Sequence, residues 1–409
     1  MYDDLHPTSV KLNADPQFTG KGVTIAFLDS GFYPHPDLSG RIVFYKDLTG
    51  ERAALDANDP IESWQWHGTQ TSVVGAGDGH LSDGVYRGLA HKSELVLVKV
   101  SENGRITEEN IARGLKWVIA NRDRFNVRVL NLSLGGDEDV PCTQSIIDQA
   151  AEEAIRNGIV VVAAAGNSDS NHSIPPANSP SVITVGGYHD NNGKGLDLYH
   201  SNFGPTADGT VKPEVVAPAK WVAAPTLPDT KDLTTHYQHV DGTSFAAPIV
   251  TSIVAQMIEA NPRLTPGAIK NILISTADRI AGAPAIRQGF GVVNARRAVE
   301  LAKQEEHALN TVGCSPPRVQ NGHLLFLYHD DEARNVSLAG GFNDWNPASN
   351  PLTKDTSGLW ACKLTTPGPG RYEYKFVVDD RRWVEDPNNG MKVSDGFGGL
   401  NSLLVIADV

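Results

Sequence analysis

The chain has 409 residues, of which 40% are hydrophobic and 20% charged, and its 48 acidic and 35 basic side chains give a net charge of −13. This is the composition of a globular protein with two or three domains. The acidic balance argues against sequence-independent nucleic-acid binding and against anionic membranes. No apolar run approaches the length of a membrane span, since the best, GIVVVAAAG at 158–166, has the pattern of a buried strand.

Residues 1–303 alternate apolar strand-like runs with segments of helical spacing. Strands uniformly apolar and separated by helices predict an α/β fold with a doubly wound, mostly parallel sheet. The expected strands are at 23–29, 95–100, 127–134, 158–166 and 182–187, and the expected helices at 107–122, 145–158 and 296–303.

The pattern of apolar runs and turn residues changes after residue 303. Residues 304–320, with the paired prolines of CSPPR, predict a linker. From 321 to 409 short strand-like runs alternate with turns, which predicts a small all-β sandwich of immunoglobulin type. Two domains, 1–303 and 321–409, are therefore expected.

Three polar residues stand where chemistry is expected in such a sheet, beyond the carboxyl ends of strands. Asp29 ends the run VTIAFLD, His67 lies in WHGTQ, and Asn167 follows AAAG. Each alone is more often structural: a turn residue, a hydrogen-bonding histidine or a turn asparagine. Ser244 precedes an apolar run containing Pro248, which predicts a helix that begins near Ser244 with the proline in its first turn. A serine there is ordinarily an N-cap.

Together, however, these residues supply every part of nucleophilic catalysis by serine. A serine hydroxyl needs a base, which histidine provides, and a carboxylate on the other ring nitrogen orients that base. A side-chain amide and the N–H of the nucleophile can hold the oxyanion.

The motifs LDSG (28–31), HGT (67–69), AAAGN (163–167) and GTSFAAP (242–248) resemble, in order and spacing, those of the subtilisin family of serine peptidases. The resemblance implies that Asp29 orients His67 and that His67 activates Ser244. It implies that Asn167 donates to the oxyanion.

The same resemblance implies residues that bind substrate. Ser133, Leu134 and Gly135 would form an exposed strand edge that pairs with substrate backbone. Ala164 and Gly166 would wall the pocket for the residue before the scissile bond. One departure concerns the position after the nucleophile, which is methionine in many relatives and Phe245 here.

The chemistry implied requires no cofactor, whereas structural calcium is known in many relatives. The segments 56–63 and 77–84 concentrate carboxylates and glycines, and oxygen ligands suit calcium. Neither segment has a fixed ligand spacing, so solvated acidic loops are the alternative and no metal ligand is assigned.

The terminal stretch NVSLAGGFNDWNP (335–347) and GRYEYKFVVDDRRWVEDPNN (370–389) resembles carbohydrate-binding modules of the glycogen-binding type. That resemblance implies an α-glucan ligand stacked on Trp345 and Trp383, with Lys375 and Asn401 bonding hydroxyl groups. The alternatives are that both tryptophans are core residues, or that the module is a degenerate copy.

Two classes of function follow from these features. The first is a serine endopeptidase acting on proteins or peptides, with a module for a glycogen-like or starch-like α-glucan. The alternative is an inactive glucan-binding scaffold, and a glycoside hydrolase is a weaker third idea because no carboxylate pair stands out. If Met1 is the natural start, MYDDLHPTSV contains no signal peptide and the protein is cytoplasmic, whereas a processed mature chain would be secreted.

Overall fold

The structure is a computed structural model. It describes residues 8–50, 54–56, 63–136, 140–190, 195–207, 210–226, 236–310, 317–320, 323–330, 332–354, 358–365, 367–368, 370–387, 389 and 392–406. The chain divides into two compact units, Met1–Lys303 and Gln304–Val409.

The first unit is built on an eight-stranded sheet with helices on both faces. Its strands are β1 (Thr24–Asp29), β2 (Ile42–Asp47), β3 (Glu94–Lys99), β4 (Val127–Leu132), β5 (Val160–Ala164), β6 (Ile183–Asp190), β7 (Leu196–Leu198) and β8 (Val215–Pro218), with a separate hairpin of β9 (Val222–Pro225) and β10 (Tyr237–Val240). Its helices are α1 (Thr8–Lys11), α2 (Ser63–Ala76), α3 (Glu108–Phe125), α4 (Ile146–Arg156), α5 (Thr243–Ala260), α6 (Pro266–Thr276) and α7 (Ala285–Gln288). A further helix, α8 (Ala295–Asn310), begins in this unit and continues beyond Lys303.

The sheet order β2-β3-β1-β4-β5-β6-β7, with β8 beside β6, confirms the doubly wound, mostly parallel sheet, because only β7 runs antiparallel to its neighbour. Alternate residues of the buried strands enter different cores: Phe27 belongs to the cluster that includes α5, and Leu28 to the cluster that includes α3 and α4. Leu28 pairs with Leu132, and Leu132 pairs with Ala163. The next residues, Asp29, Ser133 and Ala164, are therefore level at one edge of the sheet.

Helix α5 corrects two expectations. It is long and apolar enough to cross a membrane by length and composition alone, although 83% of it is buried inside the unit, as in the core helix of a globular protein. It also begins at Thr243, so Pro248 is its sixth residue and lies in the second turn rather than the first.

Helix α8 runs past the predicted domain boundary. It continues to Asn310, so the predicted linker at 304–320 begins within a helix. The segment QEEHALN consists largely of good helix formers, which explains the extension. Residues 311–316 lie outside the described ranges.

The second unit is a two-sheet β structure, as expected. One sheet has the order β11-β12-β15-β14 and the other β13-β16-β19-β18, with β17 paired to β16. The strands are β11 (Arg318–Gln320), β12 (His323–His329), β13 (Val336–Gly340), β14 (Thr353–Lys354), β15 (Leu359–Thr365), β16 (Gly370–Val378), β17 (Arg382–Val384), β18 (Lys392–Ser394) and β19 (Leu400–Ile406). The core between the sheets contains Phe326, Trp360 and Tyr374.

Candidate active site

Asp29 is the last residue of β1, and both oxygens of its buried carboxylate accept hydrogen bonds. Its Oδ1 lies 2.8 Å from Nδ1 of His67 and accepts the backbone N–H of Ser30 at 2.7 Å. Its Oδ2 accepts the hydroxyl of Thr71 at 3.1 Å. A carboxylate on Nδ1 favours the tautomer with the proton there, which leaves Nε2 as the basic nitrogen.

The approach of α2 to β1 brings His67 to Asp29, and Gly68 makes that approach sterically allowed. A Cβ at residue 68 would lie 2.2 Å from the carbonyl oxygen of Gly31. The His67 side chain remains 38% exposed, so one side of the ring is accessible. The charge of Asp29 raises the pKa of His67 above its ordinary value, although burial of the ring opposes the rise.

Ser244 is the second residue of α5, where backbone N–H groups have no partner within the helix. Its described hydrogen bond runs from the hydroxyl to the carbonyl oxygen of Ser133 at 3.4 Å, not to His67. The next residue, Phe245, is buried, and its ring centroid lies 5.9 Å from that of His67. Ser244 and His67 thus lie on neighbouring elements, α5 and α2.

The amide group of Asn167 has a fixed orientation. Its Oδ1 accepts the backbone N–H of Thr243 at 2.9 Å and the hydroxyl of the same threonine at 3.0 Å. Because a main-chain N–H can only donate, the atom facing it must be the amide oxygen. Within the described part of the chain, Nδ2 has no hydrogen-bond partner and can donate to a ligand. The role of Thr243 was missed by sequence reasoning, although its place beside Ser244 was a signal.

The second unit carries the four predicted carbohydrate residues close to one sheet face. Trp383 pairs with Val377 on β16, two residues from Lys375, and both therefore lie on the face opposite Tyr374 and the core. The rings of Trp345 and Trp383 are 6.4 Å apart at an angle of 40°. Trp383 is 46% exposed and Trp345 is half-buried, so at least one face of the pair is open to solvent.

The two polar members of this set are held by carboxylates. Lys375 Nζ lies 2.8 Å from Asp395 Oδ2, and this hydrogen bond lowers the pKa of Asp395 to about 2. Asn401 is buried and donates to Glu373 Oε2 at 2.6 Å. Asn401 is therefore less accessible to a ligand than the sequence led us to expect.

Comparison with known proteins decides the family of the larger unit. A model of the subtilase family matches residues 20–293. The chain belongs to the subtilase family. It is a subtilisin-like serine peptidase, and the resemblance found in the sequence is confirmed.

Several relatives support this assignment. Serine protease AprX of Bacillus subtilis (strain 168) is 36% identical to this subtilase over 302 residues, or 69% of this chain and 67% of the relative. Subtilisin BL of Lederbergia lenta is 33% identical over 283 residues, or 68% and 91% of the two chains. A solved protease of Pseudoalteromonas arctica PAMC 21717 has a TM-score of 0.58 at 28% identity, covering 73% of this chain and 94% of its own.

The smaller unit matches a second family. A model of carbohydrate-binding module 48, described as the isoamylase N-terminal domain, covers residues 311–389. This match confirms that the subtilase carries a carbohydrate-binding module. Trp345, Lys375 and Trp383 lie within the matched residues, whereas Asn401 lies beyond them.

The segment predicted to bind substrate differs from the expected exposed strand edge. Strand β4 ends at Leu132, and Ser133 beyond it is buried, while Leu134 and Gly135 are half-buried. The hydroxyl group of Ser133 donates to the carbonyl oxygen of Ser244 in α5.

At the end of the neighbouring strand β5, Ala164 is also half-buried, as is Gly166 two residues beyond it. A Cβ at residue 166 would lie 2.7 Å from Nδ2 of Asn202. Gly166 also has a φ of +100°, which side chains other than hydrogen rarely allow, so both features favour glycine at the position preceding Asn167.

The acidic segments of this subtilase hold no recognisable metal site in their described part. Within the described ranges, no three His, Cys, Asp or Glu side chains converge as ligands. In the segment 77–84, Asp78 Oδ1 accepts the backbone N–H of His80, as in a solvated turn. Most of the segment 56–63 lies outside the described residues.

Proposed function

We propose that this subtilase cleaves peptide bonds within proteins through a covalent acyl-enzyme on Ser244. The observation that carries the proposal is the 2.8 Å contact between the buried carboxylate of Asp29 and Nδ1 of His67. That contact presents a basic Nε2 beside the first turn of α5, in which Ser244 is the second residue. No cofactor is required for the chemistry proposed.

The reaction has two halves, and in each half His67 acts first as a base and then as an acid. Ser244 Oγ attacks the peptide carbonyl carbon while its proton passes to His67 Nε2, and the carbonyl oxygen becomes an oxyanion. The C–N bond then breaks as His67 returns the proton to the leaving amine, which leaves the acyl group on Ser244. Water then attacks the acyl carbon and gives a proton to His67 Nε2. The bond between that carbon and Ser244 Oγ breaks, His67 returns the proton to Oγ, and the carboxylic acid is released.

The oxyanion would be held by two donors whose positions are linked. One is Nδ2 of Asn167, which is free because Thr243 engages the amide oxygen. The other is the backbone N–H of Ser244, the residue that follows Thr243. Donors fixed before the reaction stabilise the developing charge without a cost of reorganisation. Substrate backbone would lie along residues 133–135, with Ala164 and Gly166 lining the pocket.

The test is covalent labelling with a fluorophosphonate probe, which reacts with activated serines. We expect stoichiometric labelling of the wild type, none of Ser244→Ala, and strongly slowed labelling of His67→Ala. A folded wild-type protein that takes up no label would overturn the proposal and favour the inactive scaffold. Peptide mapping of the label to Ser244 separates this site from any other reactive serine.

We also propose that the carbohydrate-binding module binds α-glucan on the Trp345–Trp383 pair. The apolar faces of glucose rings stack on indole rings, and the exposed Trp383 lies beside the half-buried Trp345. The core role that was the alternative for these residues is filled by the buried Trp360. The exposed Phe397, held on a loop by Asp395, adds a third aromatic side chain to the same unit.

Retardation in a native gel containing glycogen tests this second proposal. Trp383→Ala and Lys375→Ala should each reduce retardation, while Lys363→Ala, a lysine on the other sheet, should leave it unchanged. All variants should keep wild-type fluorophosphonate labelling, because they leave the first unit intact. A wild type that migrates equally with and without glycogen would contradict glucan binding.

A further inference from the structure

Pro248 leaves the nucleophile's own carbonyl group without its normal helix donor. In an α-helix the N–H of each residue bonds the carbonyl four residues earlier, and proline has no N–H. The residue four before Pro248 is Ser244. Because Pro248 lies in the second turn of α5, this carbonyl would otherwise take part in the helix ladder.

The side chain of Ser133 occupies the place of that missing donor. Its hydroxyl donates to the carbonyl oxygen of Ser244 at 2.8 Å, from the residue that follows β4. The contact joins two elements 111 positions apart in sequence. The bond therefore connects the first turn of α5 to the edge of the sheet.

Two further buried side chains determine the direction of this hydrogen bond. Asn131 Nδ2 donates to Ser133 Oγ at 3.0 Å, and Thr251 Oγ1 donates to Asn131 Oδ1 at 2.9 Å. Asn131 and Thr251 are fully buried and Ser133 is 5% exposed. Since Ser133 Oγ accepts from the amide, its own hydrogen is directed to Ser244. The chain of bonds begins and ends on α5.

We propose that Ser133 is a positioning residue whose hydroxyl replaces the N–H that Pro248 lacks and holds the Ser244 peptide group in the orientation for attack. The inference rests on the proposed function of Ser244. The hydroxyl touches no reacting atom and acts through the main chain of the nucleophile. Small displacements of a nucleophile are enough to lower reaction rates substantially.

The first experiment measures the fluorophosphonate labelling rate constant at saturating probe, together with kcat and KM for a short chromogenic peptide. Ser133→Ala should lower the labelling rate and kcat by about 10- to 100-fold. KM should remain close to the wild-type value, because the main-chain atoms of residue 133 are unchanged. The matched control is Ser252→Ala, which removes another buried hydroxyl of α5, bonded to the carbonyl of Ile249. It should label at the wild-type rate whatever it does to thermal stability.

The second experiment is a double-mutant cycle with Pro248→Ala, which restores a main-chain N–H to the helix. In that background Ser133→Ala should cost much less in labelling rate than in the proline background. Equal costs in the two backgrounds would overturn the proposed replacement of the proline donor. Wild-type labelling of Ser133→Ala would overturn the positioning role while leaving the peptidase proposal intact. A folded wild type that does not label would overturn both.

Discussion

Glu214 is the centre of a buried cluster of three charges, and its replacement should strongly destabilise the peptidase unit. Its Oε1 lies 2.7 Å from the ammonium groups of both Lys212 and Lys270, and its Oε2 accepts the N–H of Thr184 at 2.8 Å. All three charged side chains are almost fully buried. Burial lowers the pKa of Lys212 to about 8, whereas the two lysines hold the pKa of Glu214 low despite burial that would raise it.

Glu214→Gln keeps the shape of the side chain but cannot satisfy these partners. Its single amide oxygen can face the lysines or Thr184, not both, and two buried ammonium groups lose their only negative partner in the cluster. Breaking a buried pair in this way costs about 3–5 kcal/mol. With about 2.1 cal/mol/K of unfolding entropy per residue, a unit spanning Met1–Lys303 should lose about 5–8 °C in Tm.

The assay is scanning calorimetry at one scan rate, with all variants in the Ser244→Ala background to prevent self-digestion. The matched control is Lys212→Met, which leaves a one-to-one pair between Glu214 and Lys270. The carbonyl of Val182 keeps a donor in that variant, because Lys270 also bonds it. The decrease in Tm caused by Lys212→Met should be clearly smaller than the decrease caused by Glu214→Gln. A larger decrease in Tm for Lys212→Met than for Glu214→Gln would refute the electrostatic argument. A decrease of less than about 2 °C for Glu214→Gln would also refute it.

Three further predictions concern the active site. Because Asp29 raises the pKa of His67, the labelling rate should increase with pH through a midpoint above 6.5. The contribution of this pair to the free energy of unfolding should decline over the same pH range. Asp29→Asn should move the midpoint down and lower the rate by roughly 10⁴-fold, and an unmoved midpoint would contradict the assignment. Phe245 should make the wild type more tolerant of mild peroxide than Phe245→Met, since only the variant has a thioether beside the nucleophile; equal inactivation of both would contradict this. Gly68→Ala should destabilise the unit by about 1–3 kcal/mol and suppress labelling, and normal behaviour in both assays would show that α2 can shift without consequence.

The positions of Asp29 and Asn167 were predictable because parallel strands present their carboxyl ends at one edge of a sheet. The apolar runs located β1 and β5, and the residue that follows such a run is placed by the topology. Strand β2 was missed because its burial is partial and shows no simple alternation. The hairpin of β9 and β10 was missed because four-residue strands carry too little periodic signal.

The hydrogen bonds that fix the site could not be read from the sequence, because they join residues far apart along the chain. Thr243 gives both an N–H and a hydroxyl to Asn167, and it accepts the N–H of Gly166. Ser133 bonds the next residue along, Ser244. The first turn of α5 is thus tied to the ends of β4 and β5 on both sides of the nucleophile. Ser244 and Asn167 therefore belong to one hydrogen-bonded framework. A substitution at either strand end should change the position of Ser244 more than it changes the stability of the unit.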